Sequence, residues 1–276
     1  MHSCYFSMAG IRLCLQTPQP LPIAQRLQPF LAEPCMPDCT VRVQPTKTLP
    51  QPGQNALEMP PLTYEGLSKI YHRDTADGQI VAVTSLEENG DILLSYLPEY
   101  ACWFSGFSGI FNRIGAELLL LRWGGLLLHA SLVRHDGKGI LFTGPSGIGK
   151  STQASLWETT RGADILNGDR AALRREEDSW YAYGLPYAGS SGIYRNERVT
   201  VSALVVLSQA KENRLRKLSA MEAFGHLYAQ LAVHRWNRAF VELATGLLTQ
   251  LLETTDAYFL ECLPEESAVR LLEGML

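Results

Sequence analysis

The chain has 276 residues, of which 46% are hydrophobic and 19% charged; that is enough length for one large domain or two modest ones, and enough apolar material to bury a core, which excludes a chain disordered by composition. Its formal net charge of −4 gives no overall attraction to nucleic acid or to an anionic membrane surface. No basic segment precedes an apolar core at the start, and the apolar stretch 118–128 is broken by Arg122, Gly124 and Gly125, too short to cross a bilayer, so a soluble, cytoplasmic protein with neither nucleic-acid nor membrane partners is expected.

Taken in chain order, the first sixty or so residues are dense in proline, from Pro18 to Pro61. Proline lacks an amide donor and resists helix interiors, so short strands and loops are expected. Cys39–Val43 alternates like a strand, and residues 79–85, a turn at 87–90 and residues 91–96 read as a hairpin. Cys35 and Cys39 lie four apart without nearby histidines, so reduced thiols are expected, not a zinc site. Apolar residues at helical spacing over 107–122 predict one helix, ended by Gly124 and Gly125. A strand at 126–133, a turn at 135–138 and a second strand at 139–143 follow. Next come a helix at 150–160, a hairpin turning at 175–178, a buried strand at 199–207, helices at 219–233 and 236–254, a strand at 258–262 and a terminal helix at 264–275. The basic run 211–217 reads as a solvated loop.

Residues 144–151, GPSGIGKS, satisfy G-x-x-x-x-G-K-[ST] between an apolar run (139–143) and a helix-compatible stretch. In this pattern glycines let successive N–H groups turn inward around a phosphate, and the following helix adds the positive end of its dipole. Lys150 is placed to reach the β and γ phosphates and the Ser151 hydroxyl to bind magnesium. Gly144, Ser146, Gly147, Ile148, Gly149, Lys150, Ser151 and Thr152 are therefore the candidate nucleotide-binding residues, with ATP and Mg²⁺ as expected ligands. A magnesium-bound triphosphate also needs a nearby carboxylate. Asp169, where the apolar pair Ile165–Leu166 runs into a polar turn, is the better candidate; Asp164 is the weaker.

The segment 126–157, LLLHASLVRHDGKGILFTGPSGIGKSTQASLW, resembles the nucleotide-binding core of the HPr kinase/phosphorylase family and its relatives, the phosphoenolpyruvate carboxykinases. The likeness lies in a histidine on a strand shortly before the loop, a hairpin, an apolar strand and G-x-S-G-x-G-K-[ST]. Residues 161–170, RGADILNGDR, resemble the family segment that ends in two aspartates. The resemblance covers residues 126–210. It implies an α/β fold: a P-loop core of the HPr kinase/PEP carboxykinase type over 106–276, with a smaller, mainly β (α+β) N-terminal domain over 1–105 that is a candidate for acceptor docking. It also implies that His129 occupies the family's active-site histidine position, making Lys150, Asp169 and His129 the catalytic candidates, and Ser151 and Asp169 the metal-side pair. Asp169 falls on the second family aspartate; the first, taken in the family as general base, is Gly168 here. Residues 183–199 resemble the next family stretch, Y-G-x-P-[WY]-x-G, which brings Ser190, Ser191, Arg195 and Arg198 into consideration as phosphate or acceptor contacts. Kinases of that family are often hexameric, so a homo-oligomer is among the expectations.

Two functions follow. One is an ATP-dependent kinase acting on a hydroxyl of a protein, a peptide or a serine-like metabolite, with Asp169, His129 or Asp164 standing in for the missing base. The other is a non-catalytic ATP sensor or maturation scaffold, which Gly168 favours. Carboxykinase chemistry lacks identifiable basic residues for a dicarboxylate. A motor-type ATPase lacks an arginine-finger signature.

Overall fold

Proline-rich, alternating sequence at the start of the chain becomes strand. In a computed structural model, which describes residues 1–187, 189 and 191–276, the chain divides into a first unit, Met1–Leu119 with Asn237–Phe240, and a second, Leu120–Trp236 with Val241–Leu276.

The first unit holds β1 (His2–Met8), β2 (Ile11–Thr17), β3 (Cys39–Pro45), β4 (Leu57–Met59), β5 (Leu62–Glu65), β6 (Lys69–Arg73), β7 (Ile80–Leu86) and β8 (Ile92–Tyr96) in one sheet, ordered β1-β2-β3-β8-β7-β6-β5-β4. β3 lies parallel to both β2 and β8. The alternation at 39–43 buries Cys39, Val41 and Val43, as period-two patterning requires. Tyr96 stacks on Phe104 at 4.4 Å, and Phe6 packs on Phe107 at 4.8 Å. The single helix expected over 107–122 is instead two, α1 (Phe107–Ile114) and α2 (Ala116–Arg122). Gly115 ends the first in the left-handed region (φ +70°), and a Cβ there would press on Ile70 at 3.1 Å. Helical periodicity does not register such a break, because the apolar spacing continues across it.

The second unit is built on β9 (Gly125–His135), β10 (Lys138–Thr143), β11 (Asp164–Asn167), β12 (Arg170–Glu176), β13 (Ser179–Gly184), β14 (Arg198–Gln209), β15 (Arg214–Lys217) and β16 (Asp256–Cys262). The long strands β9 and β14 each serve two neighbourhoods. The second half of β9 pairs with β10 and β11, and its first half with β12. β14 pairs with β13 near its start, with β10 in parallel, and with β16 in parallel towards its end. Helices α3 (Lys150–Arg161), α4 (Ala220–Gln230), α5 (Arg238–Thr254) and α6 (Glu266–Glu273) complete the mixed α/β architecture, with part of α5 falling in the first unit. Trp157 of α3 is fully buried in a cluster with Val133, Ile140, Phe142, Leu207 and Leu260. Burying a large apolar side chain contributes about 1.5–3 kcal/mol, so α3, and with it the end of the preceding loop, is anchored to β10.

Two expectations change here. Residues 211–217 are not simply a loop: 214–217 form the edge strand β15, antiparallel to β16, with Arg216 and Lys217 in ion pairs with Glu222 and Asp256. The helix expected over 219–233 stops at Gln230, because Leu231 turns extended, bridges Leu128 and is followed by Ala232 N–H donating to the Leu127 carbonyl at 2.9 Å. Backbone pairing with β9 outcompetes one more helical turn. All six cysteines are free thiols. No helix among the described residues is long and apolar enough to cross a membrane.

Candidate functional site

The glycine loop lies between the end of β10 and the start of α3. Gly144, Gly147 and Gly149 have φ of 144°, 79° and 115°, a region that residues with a Cβ rarely adopt. A turn with Ile148 N–H donating to the Pro145 carbonyl at 3.3 Å closes the loop. Gly149 is the N-cap of α3 and no side chain caps that helix, so its first-turn amides have no side-chain acceptor. Lys150 is 7% exposed. Its ammonium folds back and donates to the Gly144 carbonyl at 2.9 Å and the Pro145 carbonyl at 3.0 Å. Burial pulls its pKa down, partly offset by the nearby Asp169 carboxylate. Ser146, Gly147, Ser151 and Thr152 are exposed, and Ile148 and Gly149 half-buried.

His129 reaches this loop through strand pairing. It lies where β9 passes from pairing with β10 (Ala130 opposite Thr143) to pairing with β12 (His129 opposite Arg170). Thr143, the residue before Gly144, donates its hydroxyl to the His129 carbonyl at 2.8 Å. The turn carrying Asp169 is held by Asn167, whose side-chain oxygen accepts from the N–H groups of Asp169 and Arg170, both at 2.9 Å, and whose amide donates to the Leu185 carbonyl at 2.7 Å. Ala130 N–H donates to the Asp169 carbonyl at 3.0 Å. As a result the His129 Nε2 lies 3.7 Å from Asp169 Oδ1. Burial and the Lys150 charge push the imidazole pKa down, against the opposing pull of Asp169 and a side-chain hydrogen bond with Gln230. His129, Lys150 and Asp169 thus share one electrostatic neighbourhood, with Arg170 3.7 Å from Asp169 Oδ2.

Other sequence candidates are placed elsewhere. Asp164 is held between Arg134 (2.8 Å) and Arg195 (3.1 Å), and these guanidinium groups hold its carboxyl below the usual range, which makes it a poor proton acceptor. Arg198 pairs with Glu176 and lies 4.5 Å over the Tyr181 ring. The Ser191 hydroxyl accepts from Ile193 N–H at 3.2 Å. Ser190 lies outside the described residues. Gly168 uses only its backbone: its carbonyl accepts from the Ser131 hydroxyl at 3.2 Å, and its N–H donates to the Ile193 carbonyl at 3.3 Å.

The structure adds residues that the motif did not name. Gly189 comes so close to Asp169 that a Cβ would lie 2.8 Å from the aspartate Cβ, so the segment after Tyr183 does return to this turn. The glycine in Y-G-x-P-Y-x-G was the available signal. Gln230 joins His129 from the end of α4; no local pattern marks it. On the other side of β10, Gln209 at the end of β14 donates to the Gly147 and Ile148 carbonyls at 3.3 and 3.5 Å. There a cleft of about 400 Å³ runs from the loop to Gln209 and Cys262–Pro264, within the usual size of small-ligand sites. Among the described residues no three His, Cys, Asp or Glu side chains are grouped to hold a metal by themselves.

Residues 118–247 match the model of a family described as SynChlorMet cassette protein ScmC. No curated protein matches the chain. Among solved structures, the HPr(Ser) kinase/phosphatase from Coxiella burnetii is similar over 54% of this chain and 97% of its own, at 16% identity and a TM-score of 0.31.

Proposed function

We propose that the chain is an ATP-dependent phosphotransferase that moves the γ-phosphoryl group to a hydroxyl on a protein, a peptide or a small serine-like molecule. The observation that carries this reading is the uncapped start of α3 behind a tight glycine loop, with a buried lysine turned onto that loop and a histidine–aspartate pair beside it. Phosphoryl transfer asks mainly for positioning and charge neutralisation. Lys150, released from the Gly144 and Pro145 carbonyls, neutralises the β and γ oxygens, and the α3 amides take the oxygens nearest the helix. The donor chemistry fits magnesium: Asp169 offers a carboxylate and Ser151 an exposed hydroxyl, hard oxygen ligands that leave room for phosphate and water. Mg²⁺ held by Ser151 and Asp169 would supply neutralisation of phosphate charge. His129 and Asp169 orient the acceptor hydroxyl from the opposite side of the loop to the Gln209 cleft.

A second reading, an ATP-binding sensor or maturation scaffold without transfer, is favoured by Gly168, which offers only backbone at the position where the resembled family has its base. Labelled ATP with Mg²⁺ and a panel of peptide and metabolite hydroxyls separates the two. Acceptor-dependent ADP formation, lost in Lys150→Ala, supports transfer. Tight ATP binding with no labelled product across the panel supports the sensor. Absence of ATP binding in the wild-type chain removes both.

A further inference from the structure

The cleft on the Gln209 side of the glycine loop has a chemistry unlike the phosphate side. Its walls include Ile148, Ala210, Leu263 and Pro264, and none of its lining side chains is charged. One end of it is the glycine loop itself (Gly147–Gly149); away from the loop, towards Ala210, Leu263 and Pro264, it is suited to a flat, neutral, partly apolar group. Sheet order puts it on the β14–β16 side of β10, whereas His129 lies on the β9 side. A nucleotide laid across the loop thus has its two ends in different surroundings.

Gln153, on the first turns of α3, lines this cleft and is only 2% exposed. Its Nε2 donates to Cys262 Sγ at 3.3 Å and to the Leu263 carbonyl at 3.5 Å, which fixes which end of the amide is nitrogen. Its Oε1 has no hydrogen-bond partner among the described residues. A buried acceptor left unpaired is costly. The contact to the Leu263 carbonyl is long for an oxygen acceptor and the terminal torsion of glutamine is soft, so turning the amide about that torsion exchanges Nε2 for Oε1 on the Cys262–Leu263 side. Adenine offers an exocyclic amino donor where guanine offers a carbonyl acceptor.

We infer that the nucleoside end of the bound nucleotide occupies this cleft and that Gln153 selects adenine there; this rests on the nucleotide-binding reading above. The base packs against the aliphatic walls, its amino group donates to Gln153 Oε1, and the phosphates run along the loop towards His129 and Asp169. Guanine in the same place sets carbonyl against carbonyl.

The test uses the full chain with Mg²⁺ and measures equilibrium binding of the β,γ-imido analogues of ATP and GTP and of inorganic tripolyphosphate, together with alkylation of Cys262 followed by mass spectrometry. Expected are an adenine-to-guanine preference of about tenfold or more, slowing of Cys262 alkylation by the ATP analogue but not by tripolyphosphate, and a Gln153→Met variant whose preference falls towards one. Equal affinity for all three ligands, or Cys262 alkylation indifferent to a bound ATP analogue, overturns the base site while leaving the phosphate site standing. If none of the three binds, both fall. Should Gln153→Met fail to fold, Gln153→Glu takes its place, and an adenine preference undiminished in the folded variant overturns the role of Gln153.

Discussion

Two helices of the second unit, α3 and α4, begin in opposite ways. At α4, Ser219 accepts from Glu222 N–H while Glu222 accepts from the Ser219 N–H at 3.0 Å, a capping box that closes the helix upon itself. At α3 the N-cap is Gly149, in the left-handed region, with no side chain turned to the amides. Ordinary stability favours the first arrangement by roughly a few tenths of a kcal/mol, since glycine is itself a tolerated N-cap. The second leaves a positive helix end open beside a buried ammonium, on a helix anchored to β10 by Trp157. A helix start that forgoes its own cap is suited to accept one from an anion.

The sharpest way to break this contrast is Lys150→Ala, which is expected to weaken ATP binding about 100-fold, near 3 kcal/mol, through loss of charge-assisted hydrogen bonds. Wild-type affinity in a titration calorimeter would mean that α3 is open for some other reason. Next comes Gly189→Ala. Its new Cβ lies 2.8 Å from Asp169 Cβ at a φ of +54°, so chemical unfolding should register a loss of about 2 kcal/mol and nucleotide binding a blunted response to Mg²⁺. An unchanged denaturation midpoint and an intact magnesium response would contradict that contact.

Ser219→Ala sharpens the comparison from the capped side. It should cost about 1 kcal/mol in unfolding free energy and leave ATP affinity within roughly twofold, since Coulombic effects of a cap fall off within a turn; a large affinity loss would merge the two helix starts into one system. The smallest effect is the pH dependence of the same box. Hydrogen bonds from the Ser219 hydroxyl and N–H, then Arg216, lower the Glu222 carboxyl to about 2 from an unfolded value of 4.5. A depressed acid stabilises fully above its unfolded pKa and loses that contribution as pH falls from 4.5 through about 2. Acid titration of thermal stability should therefore show a shallower decline over that window in Glu222→Gln, and identical curves would show that the box carries no such linkage.

Legibility in sequence followed the range of the interactions. The α3 start was readable because its parts are neighbours in the chain: glycines supplying positive φ, a lysine at the first helical position, an apolar strand before and a helix after. The β7–β8 and β12–β13 hairpins were readable for the same reason. The division of 107–122 at Gly115 was missed because apolar spacing runs through it, and β15 because three basic residues on an exposed edge read like a loop until β16 supplies their partner. Arg195 and Arg198 looked available for phosphate, yet Asp164, Glu197 and Glu176 already pair with them. Which charges meet depends on register, which composition does not reveal.

What the amino-acid sequence determined by itself is the local chemistry of residues 144–151 and the order of elements around them, since these depend on dihedral preference and near-neighbour pattern. Tertiary structure alone decided that His129 meets Asp169, that Gly189 makes room for it, that Gln230 reaches the imidazole, and that Gln153 donates its amide to Cys262 and Leu263 while its Oε1 is left unmatched. Those meetings require strands far apart in the chain to pair in one register, and pairing of that kind is set by the packing of the whole sheet, where no short stretch carries the information.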